Sequence, residues 1–359
     1  MVRTIRRPHR VLTVCIGVAL GLALAETLVR LFAPQPPPAP LLSGLGPDGL
    51  ARPSARYGWV WTPGFRGQGL HDTSVVISSL GLRDREYGPA RDDEVRIISL
   101  GDSFAFGAGV ELDETYGKVL ERMLRERFPG VTFSVINTGV VGWSQPQMIL
   151  AFQDWRVRLR PDLAVATFVA ANDVQENGLF AERLVQQVKT PLGVLGRHSD
   201  AVRLLLKVLF PVTRLLANRS YRGIADTIAL FRQLEGELKA AGVPYVMVVI
   251  PARHQIRPRG EPGAVLLEAV GLEGFLFRQN RMIIEHFVRD GVAYVDTAPA
   301  LGARDRIEPV VFDDDTHTNP LGHAIIAKVV FDKLEPMVAG VIERRGAARR
   351  ARGTSGRPP

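Results

Sequence analysis

Five apolar runs rich in β-branched residues recur along the chain: "VRIISL" (95–100), "FSVIN" (133–137), "LAVATFV" (163–169), "YVMVVI" (245–250) and "VAYVD" (292–296). Between and after them lie stretches with helical periodicity, "TYGKVLERMLRERF", "PQMILAFQDWRVRL", "IADTIALFRQLEGELKAAG", "FLFRQNRMIIEHFVRDG" and "PLGHAIIAKVVFDKLEPM". Strands apolar at consecutive positions must be covered on both faces, and a helix after each strand supplies both the cover and the crossover. The alternation therefore predicts an α/β chain, a three-layer α/β/α sandwich with a central parallel sheet. Ligands in such folds bind outside the carboxyl ends of the strands. The first run ends there in Gly101-Asp102-Ser103 and then turns glycine-rich.

The flanks are of a different character. "MVRTIRRPHRVLTVCIGVALGLALAETLVRLF" places four arginines before an apolar run from Val11 to Ala25. As one helix, residues 11–33 would span about 34 Å at ~1.5 Å per residue, enough to cross a bilayer, with Glu26 and Arg30 one turn apart near its far end. The expectation is an N-terminal transmembrane signal anchor over 1–33, its arginines on the cytoplasmic side and the rest of the chain exported. Signal cleavage after Ala25 is the alternative, giving a secreted protein. "APQPPPAP" begins a stiff linker over 34–50. Within it "GLGPDG" matches a dinucleotide fingerprint formally, but it follows a proline linker and not a strand, so it reads as a loop. Residues 51–94, with "YGWVWTPGF" and "SVVISSLGLRD", predict a small β-rich extension. The main domain is expected over 95–342, with 177–222 as a helical insertion around "AVRLLLKVLFPVTRLLA". The Arg/Gly/Pro-rich end, 343–359, predicts a disordered tail.

The 359 residues carry a net charge of +8, but residues 1–33 contribute +4 and 343–359 contribute +5. The body is nearly neutral, which argues against nucleic acid as a partner and for a membrane surface at the ends. The one cysteine, Cys15, lies in the leader, so no disulfide within the chain and no cysteine zinc site is possible. No Gly-rich loop with Lys and no HExxH occurs, so no cofactor and no metal is expected.

Chemistry-bearing residues gather in four blocks at the carboxyl ends of expected strands or before the last helix. They are Gly101-Asp102-Ser103; "NTGVVGWS" with Asn137, Gly139 and Gly142; "AANDV" with Asn172 and Asp173; and "DDDTHTNPLGH" with Asp314, His317, Asn319 and Gly322. Taken singly each has a bland explanation. Ser103 can cap a turn, Asn172-Asp173 can be a turn, and Asp313, Asp314 and Asp315 can be a solvated acidic loop or a weak cation site. His323, six residues after His317, fits no zinc spacing and reads as helix packing, and His254 as a loop residue.

The four blocks in this order resemble the SGNH/GDSL hydrolase superfamily, whose blocks supply Ser, Gly, Asn and His, over roughly residues 95–340. Ala170 departs from the pattern where the third block usually has glycine. The resemblance implies Ser103 as nucleophile, His317 as its base and Asp314 as the group that holds the imidazole tautomer. It also implies an oxyanion hole made by the backbone N–H groups of Ser103 and Gly142 and the side chain of Asn172. A serine hydroxyl needs such a base at neutral pH, and imidazole titrates in that range. The expected activity is hydrolysis of O-acyl esters, with O-acetyl groups on a cell-envelope glycan as a candidate substrate. Two alternatives remain open at this stage: an O-acetyltransferase with the same triad, and a non-catalytic envelope-binding protein with the same fold.

Overall fold

The structure is a computed structural model. It describes residues 8–34, 46–169, 173–174, 176–177, 199–202, 204, 221–251, 253–256, 273–306, 308–313 and 316–354. The chain divides into two compact units, Met1–Leu41 with Glu182–Arg219 and Leu42–Ala181 with Ser220–Pro359.

In the first unit, helix α1 runs from Pro8 to Phe32. Among its described side chains, nine large apolar groups from Val14 to Phe32 are exposed, Leu20, Leu22 and Leu31 among them. Glu26 accepts hydrogen bonds from Ser199 Oγ (2.6 Å), Asp200 N (2.9 Å) and Ala201 N (3.0 Å), a carboxylate at the start of a helical segment where unpaired N–H groups favour negative charge. Arg30 donates to the same carboxylate at 2.7 Å. Among the described residues no helix is long and apolar enough to cross a membrane. The expected transmembrane helix is therefore not supported. The outer part of α1 carries this Glu26–Arg30 pair, and Glu26 is engaged in a protein contact.

The second unit opens with two short hairpins. β1 (Ala51–Ser54) pairs antiparallel with β2 (Gly58–Trp61), and β3 (Arg66–Gln68) with β4 (Ser74–Val76). The α/β part then runs β5 (Glu94–Leu100), α2 (Ser103–Phe106), α3 (Tyr116–Arg127), β6 (Thr132–Asn137), α4 (Gln145–Leu159) and β7 (Leu163–Val169). It continues with α5 (Tyr221–Ala240), β8 (Tyr245–Ile250), α6 (Arg253–Ile256), α7 (Glu273–Arg289), β9 (Tyr294–Asp296), α8 (Ala298–Asp305) and α9 (Pro320–Thr354).

β5 to β9 form one parallel sheet in the order β6-β5-β7-β8-β9. The residues of β5, β7 and β8 are all buried, as runs without polar alternation require. One face, with Ile98, Leu100, Phe168 and Met247, is covered by α4, α5 and α7 through Phe152, Phe231 and Phe287. The other, with Ile97, Val165 and Val248, is covered by α3 and α9 through Leu120, Leu124, Ile326 and Val330. This is the expected α/β architecture. Chain order reverses on either side of β5, so its carboxyl end lies at the switch point where such sheets open a crevice.

The tail from residue 343 is helical as far as Thr354. Its composition is rich in Ala and Arg, both strong helix formers; Val338 and Val341 are buried, and Arg345 Nη2 donates to Asp162 at 2.5 Å. The expected insertion over 177–222 falls largely outside the described residues.

Candidate active site

β5 delivers the chain to the site. Asp102 is fully buried and caps α2, its carboxylate accepting from Phe104 N at 3.0 Å. Ser103 follows as the first helical residue, so its own N–H is among those with no partner inside the helix. Gly101 and Gly139 are glycines for want of space. A Cβ on Gly101 would sit 2.1 Å from Thr167 Oγ1, and one on Gly139 would sit 2.3 Å from Phe106 N. The second block thus packs directly on the backbone of α2. Asn137 fixes that contact: its Oδ1 accepts from Gly139 N (2.9 Å) and its Nδ2 donates to Phe106 O (3.3 Å). Gly142 ends the loop at φ 74°, a left-handed conformation that suits glycine.

Ser103 Oγ lies 2.8 Å from His317 Nε2, although the two residues are 214 positions apart in sequence. Ser103 is only 5% exposed. The His317 loop is closed by an antiparallel bridge between Val311 and Thr318 and by Phe312 N donating to His317 O at 3.1 Å. Asn319 fastens its far side, donating from Nδ2 to Pro309 O (2.8 Å) and accepting from Gly322 N (3.0 Å). Gly322 must lack a side chain there, since a Cβ would meet Val310 O at 2.2 Å. The Phe104 ring lies 5.0 Å from the His317 ring and limits its swing. Of the other residues singled out from the sequence, Asn172, Asp314 and Ala170 lie outside the described residues, as does the side chain of His254.

Asp173 is buried beside the site. Its Oδ2 accepts from Gln145 Nε2 (2.7 Å) and Val169 N (3.0 Å), while Oδ1 has no hydrogen-bond partner among the described residues. Burial, reinforced by the charges of Asp102 and Glu176, holds its carboxyl well above the usual carboxylate range. Through Gln145 it ties the third block to α4. His323 has a packing role. Its Nδ1 accepts from Tyr116 N at 3.1 Å, and burial, with the charges of His317 and Arg83, pushes its ring down to about 3. Among the described residues no cluster of His, Cys, Asp and Glu could hold a metal ion.

Residues 51–94 carry no chemical motif in the sequence, yet that segment braces the Gly142 loop and the segment after Ser103. Trp61 Nε1 donates to Gly139 O (3.0 Å) and Trp59 Nε1 to Val141 O (2.9 Å). Asp84 accepts from Asn137 N at 2.8 Å. Arg83, 1% exposed, donates to the carbonyls of Phe106 (3.0 Å), Gly107 (2.5 Å), Val110 (2.8 Å) and Ser74 (3.0 Å). Burial pushes its guanidinium down to about 10, still charged at neutral pH. Arg253, just after β8, donates to Phe312 O (2.9 Å) and Asp313 O (2.8 Å) and so steadies the His317 loop. A signal existed in "GLRD" and "PAR", polar residues at the ends of apolar runs, but their partners are backbone atoms that a sequence does not display.

A serine hydroxyl bonded to an imidazole, at the carboxyl end of the strand where the chain order of a parallel sheet reverses, is the constellation of a serine ester hydrolase. The GDSL-like lipase/acylhydrolase family model matches residues 99–325, more than half of the chain, and the chain belongs to that family. No curated protein matches it significantly. Among solved structures it is similar to TesA (12% identity, 67% of this chain and 98% of that one, TM-score 0.43). It is likewise similar to the acetyl xylan esterase AlAXEase (15%, 66% and 98%, TM-score 0.44). A third is a G-D-S-L family lipolytic protein from Desulfitobacterium hafniense (9%, 67% and 99%, TM-score 0.42).

Proposed function

We propose that this protein hydrolyses O-acyl esters by covalent catalysis at Ser103. The observation that carries the reading is the 2.8 Å contact between Ser103 Oγ and His317 Nε2. Ser103 Oγ attacks the ester carbonyl as its proton passes to His317 Nε2. The tetrahedral oxyanion is held by the N–H groups of Ser103 and Gly142 and by Asn172, each such donor being worth about 3–4 kcal/mol of barrier. The C–O bond to the alcohol breaks, and the alcohol leaves with the proton from His317. Water then attacks the acyl-enzyme, gives its proton to the same nitrogen, and the acid departs as Ser103 regains its hydrogen. Asp314 orients the imidazole throughout.

The protein acts outside the cytoplasm, held at a membrane by its N-terminal segment. The exposed apolar side chains of α1 and the arginines before it support this. The bonds that Glu26 makes with residues 199–201 favour a leader that stays attached over one cleaved after Ala25. Acylated envelope glycans are one substrate class that this location offers.

The test is steady-state hydrolysis of p-nitrophenyl esters by wild type, Ser103→Ala and His317→Ala, all checked for folding. A loss of about 10³-fold or more in kcat for both variants is expected. Variants that retain wild-type turnover would overturn the assignment.

A further inference from the structure

Beside His317 lies a cavity of about 370 Å³ that the mechanism above does not use. Its walls are Leu50, Leu70 and Val75 from the N-terminal extension, Phe106 and Ala108 from the segment after Ser103, and Val141 from the loop leading to Gly142. The imidazole of His317 forms part of the same wall. The cavity is therefore continuous with the reacting pair on one side and roofed by the extension on the other.

Its chemistry is apolar. Gln68 and Thr73 are the polar side chains besides His317, and the Thr73 hydroxyl is already donated to Leu70 O at 2.8 Å. Leu70 stands 52% exposed at the rim. An apolar side chain left in water at the lip of an apolar cavity suits an apolar occupant. A sugar ring there would leave most of its hydroxyls without partners. A group the size of a methylene takes up about as much room as a water molecule, ~30 Å³, so the space accommodates a hydrocarbon chain well beyond acetyl.

We infer that this cavity is the acyl-chain site, and that the extension makes the protein selective for esters of medium-chain fatty acids. The inference rests on Ser103 being the nucleophile. The chain of the bound ester lies between Leu70 and Ala108 while its carbonyl faces Ser103 Oγ, and each methylene buried there raises kcat/KM until the cavity is full.

The experiment is kcat/KM of the full-length protein on p-nitrophenyl acetate, butyrate, octanoate and palmitate, with wild type, Ala108→Leu and Leu70→Asn. The readout is the ratio of octanoate to acetate, which is independent of the fraction of active protein. In wild type it is expected to exceed about tenfold. Ala108→Leu fills the floor and lowers the ratio by about tenfold. Leu70→Asn, at the exposed rim where folding is little affected, lowers it a few-fold. A wild-type profile that is flat or falls from acetate overturns the inference and leaves the esterase reading intact. So does a rising profile that neither variant changes, since the chain then lies elsewhere. Ester hydrolysis that is absent, or independent of Ser103, removes both.

Discussion

Arg83 sits at the residue scale as the hub of the site. Its guanidinium is buried and bonded to four carbonyls, three of them in the segment that follows Ser103. Removing the donors leaves those acceptors in a dry environment, although losing a buried charge returns part of its desolvation cost. Arg83→Met is expected to lower unfolding free energy by roughly 3 kcal/mol, read from denaturant midpoints; a change below about 0.5 kcal/mol would contradict the account. His323 gives a pH signature. Its folded value of about 3 lies below the ordinary 6.5, so the unfolded chain takes up a proton first as pH falls. The stabilisation it brings is complete above pH 6.5. It declines on acidification between 6.5 and 3, by at most ~1.4 kcal/mol per pH unit. His323→Asn keeps an acceptor for Tyr116 N and is predicted to lose less stability than wild type between pH 7 and pH 4.5. Parallel losses in the two proteins would argue against a neutral buried ring. The meeting of Ser103 with His317 was legible in the sequence because their neighbours are distinctive, glycines and asparagines at fixed offsets. Arg83 was not, because an arginine after "SSLGL" looks like any surface cation until the carbonyls around it are known.

At the scale of elements, the hairpins β1–β2 and β3–β4 do for the site loops what second-layer helices do for the sheet. Trp61 bonds to Gly139 O and packs on Phe106 at 4.9 Å between ring centres, so it touches both the Gly142 loop and α2. Trp61→Phe retains most of the packing and loses the N–H. A cost of about 1–2 kcal/mol in stability is expected, together with a severalfold drop in kcat as the loop loosens. An unchanged kcat would show that the loop holds its shape without the indole. The strands of the central sheet were readable because burial on both faces leaves uninterrupted β-branched runs. The last strand is shorter than its apolar run, beginning at Tyr294 instead of Val292. The helical end of α9 was hidden. Arginine and glycine suggest a solvated tail, while the partner that holds Arg345, Asp162, lies 183 residues earlier in the chain.

For the whole molecule, the first of the two units contains α1, and the second carries Ser103 and His317. Apolar side chains of α1 are exposed over most of its length, and the arginines toward its N-terminal end would meet anionic headgroups. The full chain is expected to float with liposomes containing anionic lipid, and the chain lacking residues 1–33 to remain in the aqueous fraction. Equal partitioning of the two would move the membrane contact elsewhere or remove it. Helix α1 was visible in the sequence as an apolar run after arginines. Its engagement through Glu26 with residues 199–201 was not, because those partners lie 173 to 175 positions away.

The account stands on Ser103 being an activated nucleophile, and labelling by a fluorophosphonate probe followed by peptide mapping tests this most directly. The predicted result is one adduct, on the peptide that contains Ser103, absent from Ser103→Ala and strongly reduced in His317→Ala. Labelling that persists in folded Ser103→Ala, or an adduct that maps to another serine, would contradict it.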